Sequence, residues 1–382
     1  MKMEMMMIWM AALMAFAAGV DLNNFTNEDY KIVFPNREDE GTLKLSIVLF
    51  RHGNRTPNGV EELYPNDPHL NFTYFPYGLG QLTNAGKVKL YSIGVSLRKR
   101  YNNFLGKYYY PDIVEAVSTD YNRTKMSLEL VLAGLFPPRQ EELMAAALNW
   151  QPIPYNYLPL NEDKVLVSHL CPRYKLLYKQ HAQRPEVLQR YQPYRNLFDF
   201  LSERTGKEIR SFRDVYHLYF GLSTEEEFGL QLPDWTKTVW PEPISSLAAE
   251  EYFVELGTPD MQKLLVGYLL DEVLRNLKRK MFDRRKLSKK LYLYSAHESN
   301  LAYLLIALGV FEKHRVPPYG AHVVLELHLV DGVYGVKVFY EAWDGSGLRL
   351  MKMVHCKEFC PFDVFESLMR KFVPSEDVCG YL

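Results

Sequence analysis

Patterns typical of β-strands occur in both halves of the chain, and a long helical segment separates them. Apolar runs indicate strands at residues 43–50 (LKLSIVLF), 113–117 and 291–295, each followed by a helical pattern. From about residue 172 to 280 the pattern is helical without clear strands. Strands that alternate with helices form mainly parallel sheets. The sequence therefore predicts an α/β sheet domain interrupted by a helical insertion, which would form one wall of any cleft above the strand ends.

Several elements carry their own start and turn signals. Thr83 is expected to cap a helix that runs to about residue 101, and Thr258, followed by Pro259, to cap one that continues to about residue 280. Residues 323–329 and 333–339 flank the pair Asp331-Gly332. Because this pair is a favoured two-residue turn, it predicts a β-hairpin.

The N-terminus has the features of a secretory leader. Every residue from 5 to 20 is apolar or glycine, and Ala15, Ala17 and Gly19 supply the small residues that cleavage needs. The run is too short for an ordinary membrane span, so we expect a signal peptide over residues 1–19; the alternative is an anchor that is never removed. No later run has the length of a membrane helix. We therefore expect a soluble, secreted mature protein with no membrane span.

Secretion also accounts for the cysteines. The chain has an even number of them, and their spacing does not match a zinc ribbon, so two disulfides are expected in an oxidising compartment. The four are Cys171, Cys356, Cys360 and Cys379. Asn24 and Asn71 each begin an Asn-x-Thr sequon in polar surroundings and are expected to carry glycans, as in a glycoprotein.

Composition limits the kinds of partner. Of 382 residues, 47% are hydrophobic and 24% are charged, which is typical of a folded globular protein. The formal net charge of −1 lacks the basic excess of nucleic-acid-binding proteins. We therefore expect a small-molecule partner and no nucleic acid.

The most informative motif is residues 51–57 (RHGNRTP), directly after the first predicted strand. Arg51 and Arg55 flank His52, and guanidinium groups offer planar pairs of donors that match phosphate oxygens. Gly53 is expected to let the backbone approach a ligand closely. Positive charge on both sides disfavours the imidazolium, so His52 is expected to stay neutral and nucleophilic in mild acid.

Two further segments follow predicted strands and precede helices. Arg123 comes shortly after the strand at residues 113–117, and the pair His297-Glu298 comes after the strand at residues 291–295. Ligands bind at the carboxyl ends of strands in open α/β sheets. Together with residues 51–57, these segments predict a phosphate site with a nucleophile inside it. We expect no metal or other cofactor, because the guanidinium groups supply the positive charge.

On these residues the chain resembles the histidine acid phosphatase family, which includes prostatic, lysosomal and insect venom acid phosphatases. The family signature Arg-His-Gly-x-Arg-x-Pro is complete at residues 51–57. The resemblance is weakest in the helical insertion and absent before about residue 43. Further segments similar to the family lie at residues 64–68 (YPNDP), 80–83 (GQLT), 118–124 (STDYNRT), 135–138 (LFPP), 150–154 (WQPIP), 294–297 (YSAH) and 317–319 (PPY).

The resemblance implies a fold and a set of roles. The fold would be a phosphoglycerate-mutase-like α/β sheet domain of residues 41–171 and 281–382, with an all-helical cap of residues 172–280 inserted in it. His52 would be the nucleophile and the carboxyl of Glu298 the general acid. The phosphate-binding residues would be Arg51, Arg55, Arg123 and His297.

The same resemblance implies disulfides between Cys171 and Cys379 and between Cys356 and Cys360. The family often forms homodimers, although no residue here demonstrates one. The chain departs from the family at Glu298, where the usual carboxyl is Asp. Because Glu titrates in the same range, we expect activity to survive.

The function that these observations predict is a secreted acid phosphatase, a hydrolase that acts on phosphomonoesters through a phosphohistidine. Its general acid must begin protonated, so the rate should be greatest at acid pH. One alternative is a phosphotransferase like the phosphoglycerate mutases, and another is a non-catalytic secreted protein that binds phosphorylated ligands. A phytase and a lysophosphatidate-selective phosphatase would share all of these residues, so the sequence leaves the substrate open.

Overall fold

The computed structural model describes residues 41–283, 285, 288–312 and 315–380. The predicted signal peptide and the predicted glycan acceptor Asn24 lie outside the described residues. Asn71, the other predicted acceptor, is exposed.

Eight described strands form one mixed sheet in the order β3-β2-β4-β1-β5-β6-β7, with β8 beside β6. Strands β3, β2, β4 and β1 are parallel, and β5, β6 and β7 continue the sheet in antiparallel fashion. The strands are β1 (Leu43–Arg51), β2 (Val114–Ser118), β3 (Asn156–Tyr157), β4 (Leu291–Ala296), β5 (His322–Val330), β6 (Val333–Glu341), β7 (Arg349–Met351) and β8 (Cys360–Pro361).

Helices connect and flank these strands. In chain order, those described are α1 (Asn84–Leu105), α2 (Asn122–Leu135), α3 (Pro172–Ala182), α4 (Pro185–Tyr191), α5 (Arg195–Thr205), α6 (Phe212–Phe228), α7 (Ile244–Glu255), α8 (Pro259–Gln262), α9 (Tyr268–Phe282), α10 (Glu298–Ala307) and α11 (Phe362–Arg370). A π-helical turn at Lys263–Gly267 joins α8 to α9. The predicted α/β sheet flanked by helices is confirmed.

The start and turn signals are confirmed as well. The Thr83 side chain accepts a hydrogen bond from the backbone N–H of Gly86, and the helix continues to Leu105. Thr258 caps α8 in the same way. Asp331 and Gly332 have φ angles of 48° and 81°, as a two-residue hairpin turn between β5 and β6 requires.

Helices cover both faces of the sheet. On β1, Leu45, Ile47 and Leu49 face the cluster that contains α8, α9 and α10, whereas Val48 and Phe50 face α1 and α2. This alternation follows from the two-residue period of a strand. Both sets are buried, so the parallel part of the sheet is the middle layer of three.

Part of the segment 172–280 has a core of its own. Apolar side chains of α4, α5, α6 and α7 form a separate buried cluster, which includes Phe198, Phe212 and Leu247. Helices α8 and α9 pack instead with strand residues such as Leu45. The division of the chain at residues 171 and 281 stays a prediction.

The cysteines pair as the family resemblance implies, Cys171 with Cys379 and Cys356 with Cys360. The first pair joins the start of α3 to the C-terminal segment. Among the described residues, no helix is both long enough and apolar enough to cross a bilayer.

Buried carboxyl groups are a further feature of the helical segment. Glu225 of α6 is fully buried near the carboxyl of Asp67, which lies in the loop between β1 and α1. Burial and the neighbouring Asp67 raise the pKa of Glu225 well above its ordinary value. Burial also raises the pKa of Glu251 and of Glu255 in α7. Neither carboxyl oxygen of Glu225 has a hydrogen-bond donor among the described residues, so we expect the Asp67–Glu225 pair to share a proton in the folded chain.

The shared proton predicts a pH-dependent stability. On unfolding, these carboxyls return to their ordinary pKa of about 4.3. Their contribution to the free energy of unfolding is therefore full below that pH and is lost as the pH rises toward the raised pKa. Each such group contributes a slope of up to about 1.4 kcal/mol per pH unit. We expect the Tm to fall between about pH 5 and pH 8, and Glu225→Gln to reduce that fall, because an amide donates to Asp67 without needing a proton.

Thermal unfolding followed by circular dichroism across this range checks the expectation. Glu226→Gln is the matched control, because Glu226 is the next residue of the same helix and is exposed. If Glu225→Gln retained the pH dependence of the wild-type Tm, the shared proton would be contradicted.

Candidate active site

The predicted site residues lie at the carboxyl ends of three neighbouring parallel strands. His52 follows Arg51, the last residue of β1, and His297 follows the last residue of β4. Arg123 lies in the first turn of α2, just after β2. Because β4 pairs with both β1 and β2, the three strand ends meet at one edge of the sheet. The six side chains named from the sequence are brought together there.

Two hydrogen bonds determine the tautomer of His52, which is almost fully buried. Its Nδ1 lies 2.9 Å from the carbonyl oxygen of Gly53. A carbonyl oxygen only accepts, so Nδ1 carries the hydrogen. On the other side of the ring, Nε2 accepts from Nε of Arg123 at 3.3 Å. The lone pair of Nε2 therefore points toward the guanidinium groups.

His52 is also kept uncharged. Burial, followed by the positive charges of Arg123 and Arg51, lowers its pKa well below the ordinary value. The direction of this shift agrees with the neutral imidazole expected from the sequence. A neutral ring with a lone pair directed into a cationic cluster is suited to attack an anionic, electrophilic group.

Arg51 is held by hydrogen bonding and stacking on one side, whereas on the other side it only lies near the carboxylate of Glu298, 3.5 Å from Nε. Its Nη1 donates to the carbonyl oxygen of Pro317 at 2.7 Å, and its guanidinium stacks 3.6 Å from the ring centre of Tyr319. Its Nε and Nη2 are buried and have no hydrogen-bond partner among the described residues. Unsatisfied buried donors on a charged group are costly, so they point to an anion at this place.

Arg55 is held by a buried carboxylate. Its two terminal nitrogens donate to the two oxygens of Glu62 at 2.7 and 2.6 Å. Burial opposes the charge of Arg55, but Glu62 more than offsets burial and raises the pKa. The buried Nε of Arg55 has no hydrogen-bond partner in the described part of the chain. Glu62 thus fixes the guanidinium while leaving one donor for a ligand.

Arg123 completes the set of cations. Its Nη1 donates to Oδ1 of Asn58 at 3.4 Å, and its guanidinium lies 4.4 Å from the ring centre of Tyr121. Burial and the charge of Arg55 lower its pKa to about 10. Arg123 therefore still carries its charge in acid and at neutral pH.

His297 is positioned by both its backbone and its ring. It caps α10, with its backbone N–H donating to the side chain of Asn300 at 3.1 Å. Its Nε2 lies 3.1 Å from Oγ1 of Thr119, which hydrogen-bonds in turn with Thr124. The rings of His297 and His52 meet edge to face at 5.5 Å. His297 thus connects the ends of β2 and β4 beside the nucleophile.

The contacts of Glu298 favour its ionised form, which differs from the expectation that it begins protonated. Its Oε1 accepts from the hydroxyl of Tyr216 at 2.6 Å, and its Oε2 lies 3.5 Å from Nε of Arg51. Burial alone would raise the pKa, but Arg51, His297 and Tyr216 more than offset burial and lower it to about 2. The proton of a general acid must therefore arrive together with the ligand.

The donor atoms in the cluster are spaced as in a metal site, but the positive charge around them does not favour a cation. Donor atoms of His52, His297 and Glu298 lie within 4.8 Å of one another. Burial and the neighbouring guanidinium of Arg123 lower the pKa of both imidazoles, because a second positive charge beside it is unfavourable. The same repulsion opposes a divalent cation.

Gly53 also has a packing role that was not predicted. That it admits a ligand stays a prediction, but a Cβ at Gly53 would lie 2.5 Å from the carbonyl oxygen of Gly86, at the start of α1. Its lack of a side chain permits the close approach of the motif to α1. The helix, in turn, supports the backbone that carries His52.

The residues that hold the arginines and the carboxylate were missed in the sequence. Glu62 and Asn58 lie in a loop with no periodic pattern, and Tyr216 is one aromatic residue among many in a helix. Tyr319 belongs to a segment that resembles the family, but nothing in its residue type indicated stacking on Arg51. The sequence could have identified these residues only if a sequon, a motif or a strand end had marked them.

Comparison with known proteins agrees with this geometry. The family model described as "Histidine phosphatase superfamily (branch 2)" matches residues 42–341. The venom acid phosphatase Acph-1 of Apis mellifera is 36% identical over 339 residues, which cover 88% of this chain and 87% of the relative. The lysosomal acid phosphatase of Homo sapiens is 31% identical over 372 residues, covering 96% of this chain and 84% of the relative.

Solved structures agree on the fold. The phytase of Hafnia alvei in complex with tartrate has a TM-score of 0.66 and 17% identity, covering 89% of this chain and 99% of that one. The phytase of Citrobacter braakii has a TM-score of 0.64 and 18% identity, covering 89% and 100%. At these identities the likeness concerns the fold alone. The extent of the family match and the identity to the acid phosphatases decide the assignment: the chain belongs to the histidine phosphatase superfamily, branch 2.

Proposed function

We propose that the protein is a secreted acid phosphatase that hydrolyses small phosphomonoesters through a phosphohistidine on His52. One observation carries the proposal. The lone pair of His52 Nε2 lies among buried guanidinium groups, and three of their donors, Nε and Nη2 of Arg51 and Nε of Arg55, have no hydrogen-bond partner among the described residues. A phosphoryl group brings both the oxygens that such donors need and the electrophile that the imidazole needs.

In the first half of the proposed reaction, Nε2 of His52 attacks phosphorus opposite the leaving oxygen. The charge on the equatorial oxygens is stabilised by Arg51, Arg55, Arg123 and His297. As the bond from phosphorus to the leaving oxygen breaks, the carboxyl of Glu298 gives its proton to that oxygen. The products of this half are an alcohol, a phosphohistidine and a Glu298 carboxylate.

The ester supplies the proton that Glu298 lacks. A phosphomonoester has a second pKa of about 6, so in acid it binds as a monoanion that still carries a proton. Its oxygens engage the free donors of Arg51, which weakens the hold of Arg51 on the carboxylate and adds negative charge nearby. Both changes raise the pKa of Glu298, so the proton can pass from the phosphoryl group to the carboxylate.

In the second half, water attacks the phosphohistidine. The carboxylate of Glu298 takes the proton of the water as the bond from phosphorus to Nε2 breaks, and passes it to the departing phosphate, so that inorganic phosphate leaves as its monoanion and both neutral His52 and ionised Glu298 are restored. The positive charge required throughout comes from the guanidinium groups.

We also propose that residues 172–280 act as a cap over this site. Tyr216 of α6 reaches Glu298, and Phe220 of the same helix lies 5.3 Å from the guanidinium carbon of Arg51 and 5.5 Å from that of Arg55. The helical segment therefore touches both the general acid and the phosphate-binding arginines. The substrate beyond its phosphate group would be selected there.

Secretion is supported by the apolar leader at residues 5–20 and by the two cysteine pairs, which persist in oxidising compartments. These features disfavour a mutase-like phosphotransferase, which would serve cytosolic metabolism. A binding protein without catalysis would need no histidine lone pair among the arginines.

The nucleophile can be tested with p-nitrophenyl phosphate at acid pH. We expect His52→Ala to abolish release of p-nitrophenol, because no other group can form the covalent intermediate. We also expect ³²P-labelled substrate, quenched in alkali where phosphohistidine survives, to label the wild type at His52. His355→Asn is the control, because His355 is exposed and has a φ of 69°, which Asn tolerates. Equal turnover by the wild type and His52→Ala would contradict the catalytic proposal.

The source of the proton predicts the pH dependence. We expect kcat/KM to be greatest in acid and to fall above about pH 6, where the ester binds as a dianion without a proton. Glu298→Gln should reduce kcat for alkyl phosphates by about 10²–10⁴-fold and for p-nitrophenyl phosphate by less, because nitrophenolate leaves with little help from an acid. An optimum above neutrality would contradict the role of Glu298.

We propose that the chain forms a homodimer through the sheet edge at β3. This edge strand is exposed, and the loop before it and the residue after it expose Met144, Leu148, Trp150 and Leu158. Exposed strand edges flanked by apolar side chains favour association.

Light scattering after size exclusion should give twice the chain mass, and Trp150→Glu should give a monomer. A wild type that is monomeric at micromolar concentration would refute the dimer.

A further inference from the structure

One contact joins the helical segment to the carboxylate of the proposed general acid. Tyr216 lies in the second turn of α6, and its hydroxyl donates to Oε1 of Glu298 at 2.6 Å. Glu298 is the first residue of α10, at the end of β4. The contact therefore connects two parts of the chain that are 82 residues apart.

The surroundings of Tyr216 fix its hydroxyl as a donor. Its ring packs edge to face on Phe220 at 4.8 Å and on Tyr252 at 5.9 Å. Burial, together with the negative charge of Glu298, raises the pKa of Tyr216 well above its ordinary value. The phenol therefore keeps its proton, and an ionised carboxylate can only accept from it.

The two oxygens of Glu298 consequently have different partners. Oε1 is occupied by the Tyr216 hydroxyl, whereas Oε2 lies 3.5 Å from Nε of Arg51, one of the free donors of the phosphate site. A proton arriving with the ester meets Oε2 on the side of Arg51. An oxygen that already accepts a short hydrogen bond is also the less basic of the two.

We propose that Tyr216 is a positioning residue for the hydrolysis: by donating to Oε1, it leaves Oε2 as the oxygen that receives the proton and delivers it to the leaving group. This inference rests on the proposed function. Glutamate has one more side-chain torsion than aspartate, so a longer acid needs a second contact to hold its carboxylate in one orientation. Tyr216 supplies that contact, and Tyr216 and Glu298 act as a unit.

The test removes the hydroxyl and keeps the ring. We expect Tyr216→Phe to lower kcat for an alkyl phosphate by about tenfold, because a hydrogen bond to a charged group is lost. KM should change little, because every group that donates to the phosphate is kept. The loss with p-nitrophenyl phosphate should be smaller. Tyr216 stabilises the carboxylate, so its loss raises the pKa of Glu298, and the alkaline limb of the kcat profile should move to higher pH.

Tyr252→Phe is the matched control. Its ring packs on Tyr216, and its buried hydroxyl has no hydrogen-bond partner among the described residues. We expect wild-type kcat and the wild-type pH profile from this variant. Melting curves of both variants check that neither substitution disturbs the fold.

A double-mutant cycle separates positioning from a general structural role. If Tyr216 acts through Glu298, adding Tyr216→Phe to Glu298→Gln should cause no further loss of kcat. An equal loss in both backgrounds, or an unchanged leaving-group dependence and pH profile in Tyr216→Phe, would overturn the positioning role while leaving the phosphatase proposal intact. If the wild type itself released no phosphate, the proposed function would fail first.

Discussion

The main physical constraint on the site is that three buried guanidinium groups, which repel one another, surround one uncharged imidazole. Burial and Arg55 lower the pKa of Arg123, and burial and both Arg123 and Arg51 lower that of His52. Such a cluster is unfavourable unless other groups hold it. Glu62 neutralises Arg55, the carbonyl oxygen of Pro317 accepts from Arg51, and the ring of Tyr319 stacks on Arg51. These contacts leave the cluster with free donors, so an anion completes it.

Burial favours the protonated form of both Glu298 and Glu225, but their neighbours act in opposite directions and decide the outcome. Glu298 is buried beside Arg51 and His297, and its pKa falls to about 2 despite burial. Glu225 is buried beside another carboxyl, Asp67, and burial with that neighbour raises its pKa. The first group can therefore exchange a proton with a ligand, whereas the second keeps its proton in acid as part of the packing.

The strand-end geometry could be predicted from the sequence because it follows from simple rules. Short apolar runs located β1, β2 and β4, and the side chains after parallel strands must share one edge of the sheet. The contacts that hold those side chains could not be predicted, because they come from the third dimension. Glu62 reaches Arg55 across a loop, and Tyr216 reaches Glu298 from a helix 82 residues earlier. The packing role of Gly53 was missed for the same reason, since Gly86, which approaches it, is distant in sequence.

The helical segment therefore has more than one function in the proposed enzyme. A cap that only selected substrates could vary without effect on the chemistry. Here α6 carries Tyr216, which contacts the proposed acid, and Phe220, which lies over two of the arginines. A shift of α6 that admitted a larger ester would also move the hydroxyl away from Oε1 and alter the ionisation of Glu298. In the proposed mechanism, substrate selection and proton delivery would thus be coupled through one helix, and the contact of that helix with Oε1 would hold a carboxylate longer than the usual aspartate.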